Sequence, residues 1–375
     1  MLFAMPGSEY RAEARREFAH QEREMAEARA TPQSAPGLPP IYFYYPPGAD
    51  DADIPASNGV FTSYRAGYYN WSVKTYGCLS KMGFPCRLTH VLPDEGIIVS
   101  HRHFFKNTML PNRRQLFVCA VADFWRHPFA QLHIVQNPTD PLLVDAAPSW
   151  PASFIPLWPE SGLIPRDPAR GDRFENVAYY GLPPRLAPQL RSEKFAARLR
   201  EHGFNFRIVP RDRWNDYSDT DAVLAVRSFA PVSWHKFPPS KLYNSWHAGV
   251  PALLGSESAY QAERRSEYDY FEVHSADEVL ETLLRLRGDQ RLRAAVARNC
   301  VERAAGVSPA RIAEMWTTYL TTIAAPAFRD WERRSTASRS AFQVARVFGY
   351  LKFVCVDFVM RSARYVRKQL RAHAP

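Results

Sequence analysis

The stretch VSWHKFPPSKLYNSWHAGVPALLGSESAY, Val232 to Tyr260, decides how the rest of the chain is read. It opens as a basic loop, and Pro238-Pro239 stop any earlier helix from running on. Ser240 is a residue type that caps helix N-termini, so a helix is predicted from there. Gly249 ends it, because glycine enters the left-handed conformation past a helix end with little strain. Pro251-Ala-Leu-Leu-Gly255 then fits a short buried parallel strand, whose carboxyl end delivers Glu257 before another helix. A helix N-terminus carries free N–H groups and partial positive charge. With Lys236 and Lys241 beside it, this helix start makes a seat for a diphosphate.

The alternation of strand and helix extends to both sides. Asn176–Tyr180, Phe206–Val209 and Ala222–Val226 read as strands before the quoted stretch, with a helix at Gln189–His202. Tyr270–Val273 and helices from Ala276 to about Leu320 follow it. Upstream, Ile41-Tyr-Phe-Tyr-Tyr is a first strand and Tyr69–Met82 a helix closed by Gly83. Apolar runs at Cys86–Thr89, Gly96–Ser100, Leu116–Ala122 and Gln131–Gln136 complete that half. Such alternation predicts parallel sheets covered on both faces. The fold class is therefore α/β, with two Rossmann-like doubly wound domains. Their bounds are 39–150 and 176–325, joined by a proline-rich crossing at 151–175. Residues 1–38 read as a peripheral charged helix and linker, and 326–375 as a basic helical tail.

Composition narrows the class. A chain of 375 residues with 46% hydrophobic and 23% charged residues can build two ordinary cores. Five cysteines with no CxxC spacing read as buried thiols, with neither a disulfide framework nor a zinc site. The N-terminus is too charged for a secretory signal, so a cytoplasmic protein is expected. The net charge of +10 is concentrated after Pro326, where eleven Lys/Arg face three Asp/Glu. A basic tail on a nearly neutral body points to a local anionic partner and away from a nucleic-acid coat.

Several stretches resemble the GT-B glycosyltransferases, of the family 1/4-like bacterial polysaccharide type. They are PPSKL-x-N-x-x-x-AGVPA within the quoted run, NVAYYG at 176–181, WNDYSDTDAVLAVR at 214–227 and DYFEVHSADEVLETLLRL at 269–286. WTTYL near Trp316 resembles the closing helices, and the likeness spans 171–322, about two-fifths of the chain. The resemblance implies two domains facing a cleft and a nucleotide-diphosphate sugar as donor substrate, with no cofactor. It implies that Gly181 lets the backbone approach the donor phosphates and that Arg227 points at them. Lys236, Ser240, Lys241, Asn244 and Glu257 complete the implied donor set. Many retaining members carry two glutamates eight positions apart around this helix; Lys236 and Asn244 stand there instead. The resemblance also implies no bound metal. Asp51-Ala-Asp53 fits the letters of the metal motif of the other glycosyltransferase fold, but sits in a Pro-Ala loop near the start.

The function implied is transfer of a sugar to a hydroxyl of a glycan or glycolipid, suited to bacterial surface polysaccharide synthesis. A nucleotide-sugar epimerase of the same fold, or a scaffold that binds glycan or membrane without catalysis, are the alternatives. An inverting transfer needs a general base within hydrogen-bond reach of the acceptor hydroxyl. Strand ends of the first domain offer Asp94, Glu95, His101, Asp123 and Asn137, with His101 and Asp123 favoured because each ends an apolar strand. Asn70-Trp71 could hold an acceptor sugar by stacking or belong to the core. In the tail, Val344, Val347, Phe348, Leu351, Val354, Cys355 and Phe358 recur at helical spacing beside lysines and arginines. That pattern fits a helix lying on an anionic membrane surface, or a strut packed across the two domains.

Overall fold

Strands β3 (Gly96–His101) and β4 (Gln115–Ala120) are buried along their whole length, which places them at the centre of a sheet. Four more strands extend that sheet: β1 (Ile41–Tyr44), β2 (Arg87–Thr89), β5 (Leu132–Val135) and β6 (Ala152–Phe154). The order is β2-β1-β3-β4-β5-β6, and every pairing is parallel. A second sheet contains β7 (Asn176–Tyr179), β8 (Asn205–Ile208), β9 (Ala222–Ala225), β10 (Ala252–Leu254) and β11 (Phe271–Glu272). Its order is β11-β10-β9-β7-β8, again wholly parallel. The structure is a computed structural model that describes residues 37–46, 67–144, 150–230, 232 and 234–372. The expected peripheral helix and the Asp51/Asp53 loop lie outside the described residues.

In each sheet the strand order reverses once, between β1 and β3 and between β7 and β9. Ligands of doubly wound sheets sit beyond the carboxyl ends of the strands at such switch points. Helix α1 (67–81) follows β1 and contains a π turn, Asn70–Lys74, in its first half. On the second sheet, α2 (Glu193–Glu201) follows β7, α3 (Ser240–Ala248) precedes β10, and α4 (Ser258–Glu263) follows β10. Helices α5 (Ala276–Gly288) and α6 (Gln290–Gly306) complete that layer.

Two features depart from the sequence expectation. Ala152–Phe154 is an edge strand of the first sheet, so the crossing starts after it. Prolines at 151 and 156 mask it in sequence, and edge strands tolerate such neighbours. The helical run also changes partner before residue 325. Helix α7 (309–333) starts at Pro309 and carries a π turn at Leu320–Ala324. Its Ile312, Trp316, Leu320, Phe328 and Trp331 are buried in the core of the first sheet. Trp316 meets Phe43 and Trp71 edge-on, each with ring centroids 6.2 Å apart. Trp71 is therefore a core residue. The last helix, α8 (Thr336–Ala372), continues beyond it.

Candidate functional site

Facing strand ends leave a cavity of about 310 Å³ between the two sheets. From the second domain it is lined by Gly181 and Arg185 after β7, Arg227 after β9, and Ser240, Lys241 and Asn244 of α3. From the first domain come His101 at the end of β3, Asp123 after β4, Gln136 after β5, and Asn70 and Lys74 of the π turn in α1. Glu160, on the crossing, closes the floor. Of the seven residues of the expected donor set and the two favoured bases, all but Lys236 and Glu257 line this one cavity.

The donor side is built from short local devices. A Cβ on residue 181 would lie 2.5 Å from the Tyr179 hydroxyl, so any side chain there would have to displace the Tyr179 ring. Pro239, not Ser240, is the N-cap of α3 and Ser240 is its first helical residue. Proline has no side-chain oxygen to satisfy the first N–H groups, and no acidic residue occupies the first turn. Gly249 closes α3 in the left-handed conformation, φ 69°, as its position in the sequence implies. Arg227 lies over the Phe237 ring at 4.4 Å, and Arg185 reaches the same ring at 5.2 Å. Lys241 Nζ lies 5.2 Å from the Trp214 ring centroid. Burial, followed by the nearby Arg227 charge, pushes the Lys241 ammonium down to about 8.

Two expected donor residues lie elsewhere. Glu257, 2% exposed, is behind the cavity wall in a buried ion pair with Arg227. Burial pushes its carboxyl up despite the guanidinium, and the pair fixes where Arg227 stands. Lys236 Nζ donates to the Phe124 carbonyl at 3.0 Å and lies over the Trp125 ring. It is a tie to the first domain, because the loop 234–237 is seated against the β4 and β5 loops. Gln136 Nε2 donates to the Lys236 carbonyl at 2.8 Å, and Asn137 Nδ2 to the carbonyls of Trp234 and Phe237 at 3.2 and 3.1 Å. Asn137, fully buried, is thus an interdomain strut. Asn244 accepts from the Glu160 N–H at 3.0 Å, while Lys74 Nζ donates to the Pro159 carbonyl at 2.6 Å. The crossing is pinned from both domains at that point.

The two expected bases differ in chemistry. His101 is 2% exposed, and its Nδ1 accepts from the His103 N–H at 3.0 Å. An accepting Nδ1 leaves the proton on Nε2, so the ring is a neutral donor at Nε2 rather than a base there. Burial, with His103 and Arg102 adding to it, drives its pKa down to about 3. Asp123 follows Ala122, whose φ of 49° is the one positive value at a non-glycine among the described residues. Left-handed alanine costs about 1–2 kcal/mol, a strain held at the cavity wall. Asp123 accepts from Gln136 Nε2 at 2.7 Å, and burial in the cleft raises its pKa against the pull of Gln136, Arg227, Arg185 and Lys236. Asp94 and Glu95 are not among the lining residues, and Glu95 pairs with Arg114.

The chain matches no protein-family model and no curated protein. Among solved structures it is similar to HepE of Anabaena in complex with UDP, at 12% identity over 65% of this chain and 88% of that one, TM-score 0.43. It is similar to the S. aureus protein TarM in complex with UDP, fondaparinux and a GlcNAc-glycerol, at 10% identity over 66% and 59%, TM-score 0.44. The pneumococcal O-GlcNAc transferase GtfA with UDP and GlcNAc is similar at 11% identity over 61% and 57%, TM-score 0.44. The chain thus spans less than two thirds of TarM and GtfA. Two doubly wound parallel sheets with closing helices around one cleft form a GT-B-type fold, and this chain's own topology displays it.

Arg185, Lys74 and Glu160 are cavity residues that the sequence did not single out. Arg185 follows the same strand as Gly181, so the strand-end rule would have reached it four residues later. Lys74 has no such signal, since the π turn sets which side of α1 meets the cleft. Among the described residues no group of three His, Cys, Asp or Glu could hold a metal ion.

Proposed function

We propose that the chain transfers a sugar from a nucleoside-diphosphate donor to a hydroxyl of a glycan or glycolipid acceptor. One observation supports this above the others. Lys74, Arg185, Arg227 and Lys241 converge with the start of α3 on a cavity whose lining, among the described residues, includes two carboxylates, Asp123 and Glu160. Such a surplus of cations beside free helix N–H groups suits a diphosphate leaving group. In this reading the bond between the sugar anomeric carbon and the diphosphate oxygen breaks. The negative charge that develops falls to Arg227, Lys241 and the α3 N-terminus. The acceptor oxygen bonds to the anomeric carbon and Asp123 takes its proton. His101 donates from Nε2 to a sugar oxygen. A glycolipid acceptor would present its hydroxyl at a bilayer surface, as surface polysaccharide synthesis requires.

Because protein cations stabilise the leaving group, the reading needs no metal. Incubation with a panel of nucleotide sugars and glycan acceptors in excess EDTA is expected to give transfer product and nucleoside diphosphate. Turnover lost on chelation and restored by manganese would turn attention to Asp51 and Asp53. Glycan binding without any nucleotide affinity would make the chain a scaffold instead.

A further inference from the structure

Helix α8 spends one side of its first half on the first domain. Phe342 meets Trp331 edge-on at 5.1 Å, and the Arg346 guanidinium lies over Trp150 at 4.8 Å and over Phe342 at 4.5 Å. Gly349 sits against Trp150, where any side chain would collide, and the Tyr350 hydroxyl accepts from Asn107 Nδ2 at 3.0 Å. An α-helix turns 100° per residue, so positions 342, 346, 349 and 350 share one side. Val344, Val347, Phe348, Leu351 and Val354 fall on the other. All five are exposed, Phe348 to 68% and Leu351 to 53%. A continuous apolar strip of this kind marks an interaction surface.

Charge decides what covers it. Directly after the strip, residues 361–371 carry Arg361, Arg364, Arg367, Lys368 and Arg371 and no acidic residue. Asp357 is the one acid in the 37 residues of the helix. A second copy laid α8 against α8 would therefore bring basic residues and no acidic face to meet the basic run. An anionic bilayer answers both features at once, with an acyl boundary for the strip and negative headgroups for the run. No described helix is long and apolar enough to cross a membrane, which leaves a helix lying in the surface.

We propose that α8 docks the protein on an anionic lipid surface through the face of Phe348 and Leu351, with its Trp150-facing side still held by the first domain. This stands apart from the catalytic reading, since none of these residues touches the cavity. The test is co-sedimentation of the full chain with phosphatidylcholine vesicles and with vesicles that also contain phosphatidylserine. Binding is expected only to the second kind, and it should weaken as salt shortens the range of the charges. Phe348→Ser with Leu351→Ser should weaken it about tenfold or more, because two apolar side chains lose their burial. Arg361→Glu with Arg364→Glu should do the same without altering the strip. Melting temperatures are read alongside. A serine variant that melts early hands the decision to the glutamate pair, and unchanged binding by that pair overturns the proposal. A full chain that ignores phosphatidylserine vesicles at low salt overturns it too. So does a dimer in sedimentation velocity that the serine variant dissolves, since a second copy would then own the face.

Discussion

Lys241 is a cation at the cavity wall. Its pKa is depressed to about 8 from an ordinary 10.5, so in the folded chain it gives up its proton across that interval while the unfolded chain keeps it. Stability should therefore rise with pH through the window, as the unfavourable buried charge is removed. Binding should run the other way. A diphosphate favours the charged ammonium, so affinity is expected to be greatest below pH 8 and to fall above it. Lys241→Ala should flatten that slope, which titration calorimetry across pH would read. Asp123→Asn carries a different signature, with turnover reduced about 10²–10⁴-fold and nucleotide affinity kept, in line with loss of a general base. That Lys241, Arg227 and Gly181 stand at strand ends and a helix start was legible in sequence, because these are local patterns. The tautomer of His101 was not, since it depends on one hydrogen bond from the His103 N–H.

Single elements depend on ties that span them. Asp221, before β9, accepts from Arg166 Nε at 2.8 Å, Arg170 Nη2 at 2.8 Å, and the N–H groups of Glu175 and Asn176 at 2.9 Å each. It thereby fastens the end of the crossing to the start of β7. Burial alone would raise its carboxyl, but Arg170, the two N–H groups and Arg166 outweigh burial and hold it below the ordinary 3.8. This stabilisation is complete above that value and is lost as pH falls below it toward the folded pKa. Asp221→Ala leaves the buried Arg166 guanidinium without a carboxylate partner and strips Arg170 of one of its three, Asp219 and Glu175 remaining. A loss of about 3–5 kcal/mol is expected in denaturant unfolding at neutral pH, and a change under about 1 kcal/mol would contradict the tie. Most element types and positions could be read from periodicity alone. The edge strand at Ala152–Phe154 could not, because its three residues carry almost no pattern. Helix α7 was visible as a helix, but not the sheet it serves, since its apolar face fits either core.

Across the whole molecule, the cleft is bounded by contacts that cross it. Gln136 and Asn137 hold the 234–237 loop from the first domain, and Lys74 and Asn244 hold the crossing from opposite sides. The candidate site residues that line the cavity are scattered over about 140 positions, from His101 to Asn244, and the fold brings them together. Sequence patterns supplied two sheets and their strand ends. They did not supply which lysine lines the cavity, because Lys236 and Lys241 differ only in whether the loop or the helix carries them. Asn137→Ala should loosen the closed arrangement and be felt as faster nucleotide release. The central claim is that Arg227, Lys241 and the start of α3 hold a nucleoside diphosphate. Calorimetric titration of the full chain with a panel of nucleoside diphosphates in EDTA tests it most directly, beside Lys241→Ala and Arg227→Ala. Saturable binding by the native chain and a loss of about 1.5–3 kcal/mol for Lys241→Ala are expected. Equal affinity in the native chain and both variants, or no binding of any nucleoside diphosphate, would contradict it.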